Sequence, residues 1–230
     1  MALSCNHIFF QYPGASTEVF QGLSFSVKQP GFNALFGPSG VGKTSLAKII
    51  VGEITGYSGK VNADGMTRLL YSYNLERLPD WSSVGRHLDK ITPDSKDEHK
   101  EALVEVFGMT DYMGLRFSQL SLGQQNRINL MRYLLQDFEL LIMDESLANV
   151  DEMTRESIIL KIKAMFPDRY FLYISHNVVE VSKFCREIVV VRGPLKQPQT
   201  LSLTGIDLKS HQSVDRDRLE QTMLEIMNAA

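Results

Sequence analysis

The chain has 230 residues, of which 43% are hydrophobic, and a formal net charge of -3. This length and apolar content suffice for one large domain with a substantial core. The small net charge gives no general electrostatic reason to bind nucleic acid or an anionic membrane surface, which argues against both kinds of partner.

Cysteines and apolar runs argue against further classes of protein. Cys5 and Cys185 are the only cysteines and lack the C-x-x-C spacing of a metal or redox site, so we interpret them as reduced thiols in a cytoplasmic protein. No apolar run approaches the roughly 18 residues that span a bilayer. Residues 1–10 lack the basic start and long apolar centre of a signal peptide. We therefore expect a soluble chain that reaches a membrane only through a partner.

Short apolar or alternating runs predict strands, and segments of helical spacing lie between several of them. The predicted strands are Leu23–Val27, Phe32–Phe36, Leu69–Tyr73, Leu140–Met143, Tyr170–Ile174 and Ile188–Val191. The predicted helices are Lys43–Val51, Gly123–Gln136, Met153–Phe166, Val178–Phe184 and, near the end of the chain, Arg216–Met227. Strands that alternate with helices favour a parallel sheet covered on both faces.

The stretch Ser82 to Ser118 interrupts this alternation. It is polar, has helical spacing at Lys96–Phe107 and contains no convincing strand. We predict a small helical lobe inserted in the α/β core.

Residues 37–44 read G-P-S-G-V-G-K-T, which fits the phosphate-binding pattern G-x-x-x-x-G-K-T between a predicted strand and a predicted helix. In such a loop backbone N–H groups turn toward the phosphates, and the positive end of the following helix adds to the attraction. Lys43 would supply a mobile positive charge, and the Thr44 hydroxyl would bind Mg²⁺. A chance Gly/Ser turn is the alternative, and the flanking elements argue against it. The residues expected to bind the nucleotide here are Gly37, Pro38, Ser39, Gly40, Val41, Gly42, Lys43, Thr44 and Ser45.

The predicted strand Leu140–Met143 runs directly into two carboxylates, Asp144 and Glu145. A buried strand needs no charge, so acids at its end are expected to serve chemistry if they face the phosphate loop. Asp144 would then hold Mg²⁺, and Glu145 would polarise the water that attacks the phosphate. A cap on the turn that follows a core strand is the structural alternative.

Residues 120–124 read L-S-L-G-Q and stand directly before a predicted helix. Here the chain resembles the nucleotide-binding subunits of ATP-binding-cassette (ABC) transporters, whose signature reads L-S-G-G-Q. The resemblance continues in order over nearly the whole chain. Tyr12, 25 positions ahead of Gly37, is similar to the aromatic residue on which adenine stacks in that family. Asp151 and His176 match the aspartate after the catalytic glutamate and the switch histidine, although a lone histidine after a strand is more often structural.

The resemblance implies a fold and a domain plan. The fold would be α/β: a P-loop NTPase (RecA-like) core with an antiparallel β edge subdomain and an inserted small helical subdomain. A single ABC ATPase domain would cover 1–230, with the core at about 1–81 and 119–205, the helical subdomain at about 82–118 and a C-terminal helix at about 213–229.

The resemblance also implies a mechanism. Two subunits would pack head to tail, so that Ser121, Gly123 and Gln124 of one close over ATP and Mg²⁺ held by the other. Glu145, His176 and Lys43 would act in catalysis, with His176 orienting Glu145 and the water. Thr44, Asp144 and Asn74 would surround the metal.

Several positions depart from the family pattern. Leu122 replaces the first glycine of the signature, and Asn74 stands where the family has a glutamine, counted back from Pro79 and Val84. The other departures are Ser146 for proline, Asn149 and Val150 for Ala-Leu, and Asn177 for aspartate. These departures leave open the rate of ATP hydrolysis and the details of the interface between subunits.

Residues 78–81 read L-P-D-W and resemble the L-P-W stretch of importer subunits for nitrate, aliphatic sulfonates and taurine, although a local packing anchor explains them equally well. The end of the chain, from Ile188 to Pro194 and from Asp215 to Arg218, resembles the same group. Membership would imply a two-copy permease, whose cytoplasmic helix occupies the groove beside the Ser82–Ser118 lobe, and indirectly a solute-binding protein. The chain would then be peripheral to the cytoplasmic face of the membrane, with no nucleic-acid partner.

Three alternatives stay open at this stage. The chain could be a soluble ABC ATPase of DNA repair, cluster assembly or translation, although it has neither the long insertion nor the tandem cassettes usual there. It could be a degenerate cassette with a regulatory role, which the departures at Asn74 and Asn149 keep open. It could also serve a lipid or drug exporter.

An asparagine at position 74 keeps the carboxamide but shortens its reach by one methylene. We therefore predict slower hydrolysis or weaker coupling than a glutamine would give, and Asn74→Gln should raise the ATPase rate. The measurement is steady-state ATPase of the assembled complex, where an unchanged or lower rate would count against the prediction.

Overall fold

The computed structural model describes residues 2–74, 76, 80–210 and 212–230. Its strands are β1 (Ala2–Phe10), β2 (Phe20–Val27), β3 (Gly31–Phe36), β4 (Ser58–Asp64), β5 (Leu69–Tyr73), β6 (Leu140–Asp144), β7 (Tyr170–Ile174), β8 (Glu187–Val191) and β9 (Thr200–Thr204). Its α-helices are α1 (Lys43–Ile50), α2 (Val84–Ile91), α3 (Asp97–Val106), α4 (Leu122–Leu134), α5 (Glu152–Met165), α6 (Val178–Phe184) and α7 (Arg216–Ala229).

The larger sheet has six strands in the order β5-β6-β7-β3-β8-β9. The first five are parallel, and β9 pairs antiparallel with β8. Every residue of β6 and of β7 is buried, which explains why both read as continuous apolar runs. Asp144, at the end of β6, is in register with Tyr73 of β5 and Ile174 of β7, so the residues that follow these strands meet at one edge.

The smaller sheet is antiparallel, in the order β2-β1-β4, and packs over α1. Leu46 and Ile49 of α1 are fully buried in a cluster shared with Ile8 of β1 and Ile142 of β6. Burying each such side chain contributes about 1.5–3 kcal/mol. The helix after the phosphate loop is therefore fixed between two sheets, which fixes the loop at its start.

The segment from α2 to α3 is helical and joins the rest of the chain through a shared core. Val84, Leu88 and Leu103 are buried in the same cluster as Leu130 of α4 and Ile226 of α7. Because this core is continuous from the inserted helices to the last one, we propose that residues 1–230 form a single domain.

The structure confirms the predicted parallel sheet, the antiparallel edge sheet and the helical character of the insertion. All six predicted strands and the predicted helices are present, with ends that differ by a few residues. Sequence patterns missed β1, β4, β9 and α2, which are partly exposed or irregular in burial. Within the described residues, none of the helices combines the length and apolar content needed to cross a membrane.

Candidate nucleotide site

The phosphate loop connects β3 to α1 through glycine-dependent backbone geometry. Gly42 has φ +102° and directly precedes α1, and a Cβ atom there would lie 2.5 Å from the Val19 side chain. At Gly37 a Cβ would lie 2.3 Å from the carbonyl oxygen of Val191. Neither position has room for a side chain, and Gly42 also adopts the left-handed conformation that favours glycine. The loop is therefore held at the start of α1, where free N–H groups favour an anion.

The Lys43 side chain crosses the phosphate loop and binds the backbone at its other end. Its Nζ donates hydrogen bonds to the carbonyl oxygens of Gly37, at 2.8 Å, and Pro38, at 2.9 Å. Burial lowers the pKa of the Lys43 ammonium, while the nearby charges of Asp144 and Glu145 raise it. The cation is thus attracted to the end of β6, although no carboxylate among the described residues contacts it directly.

Asp144 joins three elements through a single oxygen atom. Its Oδ2 accepts hydrogen bonds from the Thr44 hydroxyl at 2.7 Å and from the Tyr71 hydroxyl at 2.9 Å. The Asp144 side chain is buried, and burial followed by the Asp144 charge raises the pKa of Tyr71 above its usual value, so the phenol stays protonated as a donor. No sequence pattern indicates this role for Tyr71, which lies inside an apolar strand.

The oxygen ligands around Asp144 fit Mg²⁺. Thr44, Asp144 and Asn74 line one cavity of about 440 Å³ and offer hydroxyl, carboxylate and carboxamide oxygens. Mg²⁺ prefers oxygen ligands and usually takes only one or two carboxylates, with water and phosphate oxygens completing its shell. In the part of the chain that the structure describes, no group of three or more His, Cys, Asp or Glu side chains could hold a metal by itself.

Glu145 and His176 form a close pair beside the loop. His176 Nε2 lies 2.5 Å from Glu145 Oε1, and both side chains are about half exposed. Glu145 has φ +51°, a conformation that costs a non-glycine residue roughly 1–2 kcal/mol. Its backbone N–H donates to the carbonyl oxygen of Ile174, which holds this conformation in place. Strained backbone of this kind concentrates at functional sites.

These side chains converge on a cavity of about 250 Å³ that adjoins the one around Asp144. The predicted site residues that line it are Ser39, Gly40, Gly42, Lys43, Thr44, Ser45, Asp144, Glu145 and His176. The Val41 side chain packs in the core instead, so only its backbone is available to a ligand.

Tyr12 is attached to the loop from the side of the smaller sheet. Its hydroxyl and the Ser45 hydroxyl are 2.8 Å apart and hydrogen bonded. The ring packs edge-on against Phe10, with centroids 4.8 Å apart, and is 45% exposed. An exposed aromatic ring that is fixed beside a phosphate loop is suited to stack on the base of a bound nucleotide.

Ser121 and Gln124 form the start of α4. The Ser121 hydroxyl accepts from the Gln124 backbone N–H at 3.3 Å, and Gln124 Oε1 accepts from the Ser121 N–H at 2.8 Å. This reciprocal capping box satisfies two donors at the helix end. At Gly123 a Cβ would lie 2.4 Å from the carbonyl oxygen of Asn149, whereas Leu122 is 54% exposed. The described residues that line the 250 Å³ cavity include none of the signature.

Two departures from the family pattern have specific contacts. The Ser146 hydroxyl is buried and donates to the Ser72 carbonyl oxygen at 2.9 Å, which ties the turn after β6 to β5. Asn177 caps α6 and donates from Nδ2 to Oε1 of Glu180 at 3.1 Å. An aspartate at 177 would face that carboxylate with a second negative charge.

The importer-like stretch is described only in part. Leu78 and Pro79 lie outside the described residues. Asp80 accepts hydrogen bonds from the backbone N–H and the hydroxyl of Ser118, and Trp81 is 79% exposed. Trp81 is therefore not a packing anchor in the isolated chain.

Both cysteines are free and buried, and burial raises the pKa of the Cys5 thiol to about 12. It is therefore a poor nucleophile near neutral pH.

The family model described as "ABC transporter" matches residues 20–148. The taurine import ATP-binding protein TauB of Jannaschia sp. (strain CCS1) is 29% identical over 196 residues, which cover 77% of this chain and 72% of that protein. The spermidine/putrescine import ATP-binding protein PotA of Bacteroides fragilis (strain YCH46) is 28% identical over 193 residues, which cover 76% of this chain but 42% of that protein.

Two solved structures share the fold. The structure of a bacterial Atm1-family ABC exporter with ATP bound superposes with a TM-score of 0.74 at 18% identity, covering 99% of this chain and 41% of the exporter chain. An inward-facing conformation of a metal-chelate type ABC transporter gives a TM-score of 0.69 at 20% identity, covering 88% of this chain and 83% of that chain.

Gly123→Ala tests the close approach of α4 to Asn149. The added methyl group would meet the Asn149 carbonyl oxygen, so we expect a loss of about 1–3 kcal/mol and a melting temperature lower by several degrees. Leu122→Ala at the exposed neighbouring position is the matched control, and its melting temperature should stay close to that of the wild type. Equal melting temperatures for both variants would show that the helix start can move away from the loop without cost.

Proposed function

The chain belongs to the ABC transporter family, and from that premise we propose that it is the ATPase subunit that drives solute import through a separate membrane permease. One observation carries the chemistry: the phosphate loop, Asp144, Glu145 and His176 converge on adjoining cavities. The importer assignment is supported by the similarity to proteins named for taurine and for spermidine/putrescine import. The resemblance around residues 78–81 favours the nitrate, sulfonate and taurine group.

ATP binding would begin with an exchange of partners at Lys43. Its ammonium would leave the carbonyl oxygens of Gly37 and Pro38 for phosphate oxygens, while the loop N–H groups bind the same phosphates. Tyr12 would stack on the adenine. Bound Mg²⁺, held by Thr44, Asp144 and Asn74, would neutralise charge on the phosphate oxygens.

Hydrolysis would use the Glu145–His176 pair. The Glu145 carboxylate would accept a hydrogen bond from the attacking water and orient it toward the γ-phosphate. The His176 side chain, already 2.5 Å from Glu145, would hold that carboxylate in place and contact the γ-phosphate. Lys43 would stabilise the charge that develops on the phosphate oxygens.

A second cassette would complete the site. Ser121, Gly123 and Gln124 stand at the N-terminus of α4, where the helix dipole and the first-turn N–H groups outside the capping box favour an anion. They do not line the cavity of their own chain, so we propose that they close over ATP bound by the opposing subunit in a homodimer or paired cassette. ATP would hold the two subunits together, and hydrolysis would release them.

The proposed location follows from the proposed partner. The chain would sit on the cytoplasmic face of the membrane, bound to permease subunits and through them indirectly to a solute-binding protein. Trp81, largely exposed beside the inserted helices, is the large apolar side chain that we expect a permease segment to cover.

Glu145→Gln tests the catalytic assignment. It removes the carboxylate and keeps size and hydrogen bonding, so we expect ATP binding to persist, turnover to fall at least a hundredfold and a closed dimer to accumulate. Gel filtration with and without Mg·ATP, together with an ATPase assay, checks all three. Lys43→Ala is the matched comparison and should fail one step earlier, at nucleotide binding. Loss of binding in Glu145→Gln would instead mean that Glu145 is structural.

The importer assignment is tested by purifying Glu145→Gln from membranes of the native source, with and without Mg·ATP, and identifying the bound proteins by mass spectrometry. We expect a permease and a solute-binding protein. Recovery of soluble partners alone, or of an ATP-induced homodimer and nothing else, would overturn the transport assignment in favour of a soluble or regulatory cassette.

A further inference from the structure

One face of α4 carries polar side chains at positions where a packed helix is normally apolar. Asn126, Asn129 and Tyr133 follow the spacing i, i+3, i+7, and the two asparagines are 2% and 1% exposed. Burying an amide is costly unless it is hydrogen bonded. The partners of these side chains therefore reveal what the face is for.

Their partners lie in the short segment that follows β5. Asn129 Nδ2 donates to the Glu76 carbonyl oxygen at 2.6 Å, and the Tyr133 hydroxyl donates to Glu76 Oε2 at 2.9 Å. Arg132 forms an ion pair with the other Glu76 carboxylate oxygen, and both side chains of that pair are largely buried. Asn126 Nδ2 donates to Oδ1 of Asn74 at 2.7 Å. One helix face thus contacts the segment at both Asn74 and Glu76.

The orientation of the Asn74 amide is fixed by a third residue. Asn126 Nδ2 also donates to the carbonyl oxygen of Ala148, at 3.0 Å. A backbone carbonyl can only accept, so the Asn126 side-chain atom that faces both Ala148 and Asn74 must be the nitrogen. The Asn74 atom that accepts from this nitrogen must therefore be the oxygen. A carboxamide oxygen has two lone pairs, and the second is left for another partner. Asn74 lines the same cavity as Thr44 and Asp144.

We propose that Asn126 is a positioning residue that holds the Asn74 carboxamide oxygen in the orientation needed to bind Mg²⁺. Asn129, Arg132 and Tyr133 fix the backbone that carries Asn74. The inference deepens the proposed function and rests on it, because it assigns a role to residues behind the metal ligand. It also explains how a side chain shorter than glutamine serves at position 74: the helix behind it supplies an aligned donor.

The contacts of Asn126, Asn129, Arg132 and Tyr133 with Asn74 and Glu76, which we call the clamp, have a mechanical consequence. Asn126 lies within the first two turns of α4, the helix that begins with the signature, and rigid secondary elements can carry coupling between sites. A shift of Ser121 toward ATP in the opposing subunit would therefore move Asn126, and with it Asn74 in its own subunit. The metal ligand of one site is thus connected to the residues that serve the other site.

The test compares nucleotide affinity with and without metal. Calorimetry would measure binding of a non-hydrolysable ATP analogue to the purified chain in EDTA and in saturating Mg²⁺, and the ratio of the two affinities isolates the contribution of the metal. Asn126→Leu removes the amide and keeps the number and branching of the side-chain heavy atoms. We expect its affinity in EDTA to stay within twofold of the wild type and its ratio to fall about tenfold, as for losses of residues that orient metal ligands.

Two further variants keep the test decisive. Asn126→Asp is isosteric and puts an oxygen where the donor was, which would turn the Asn74 oxygen away, so its ratio should fall as well even if Asn126→Leu fails to fold. Asn126→Gln keeps an amide donor on a longer arm and should recover part of the ratio. Asn74→Gln changes both the length of the metal-binding side chain and its hydrogen bond to Asn126. Substitutions at Asn126 change only the hydrogen bond.

Asn33→Leu is the control for general destabilisation. Asn33 is fully buried in β3 and donates to the Gly31 carbonyl oxygen at 3.0 Å, and it has no part in the clamp. We expect this variant to lose stability but keep the wild-type ratio. A wild-type ratio in Asn126→Leu and Asn126→Asp, or an equal fall in Asn33→Leu, would overturn the inference and leave the proposed function intact. Failure of the wild-type chain to bind the analogue at all would overturn both.

Discussion

The position of one carboxylate oxygen organises the site. Asp144 Oδ2 is buried at the end of β6 and accepts from Thr44, at the start of α1, and from Tyr71, in β5. A buried carboxylate is tolerated there because both donors satisfy it and because Lys43 supplies nearby positive charge. The register of β5, β6 and β7 brings the flanking residues to the same edge. Without the Asp144 carboxylate, the start of α1 would no longer be hydrogen bonded to the end of β6, and β5 would lose its side-chain hydrogen bond to the same point.

Sequence patterns predicted the parts of the fold in which burial is continuous. β6 and β7 are buried on both faces, so their apolar runs are unambiguous. β1 was missed because a bulge near His7, which has φ +51°, breaks its alternation, and β4 because it is polar and lies at a sheet edge. The pattern that indicates a strand reports burial on a regular backbone: β1 lacks the regular backbone, and β4 lacks the burial.

The site was predictable in its membership but not in its internal contacts. Motif order indicated Lys43, Thr44, Asp144, Glu145 and His176, and these residues do line adjoining cavities. Tyr71 left no signal, because a tyrosine in an apolar strand is ordinary. Asn126 and Asn129 did leave one: they are amides at helical positions that periodicity assigns to the core. Pairing those amides with Asn74 and Glu76 required the three-dimensional arrangement, since 52 and 53 residues separate the partners.

The hydrogen bonds of Lys43 to its own loop affect the rates at which nucleotide binds and leaves the site. The ammonium braces the loop by donating to the carbonyl oxygens of Gly37 and Pro38. The chain's own hydrogen bonds thus hold the loop in shape, and little conformational entropy is left to lose on binding. Differences in nucleotide affinity among variants of this loop should accordingly appear in the rate of release more than in the rate of capture.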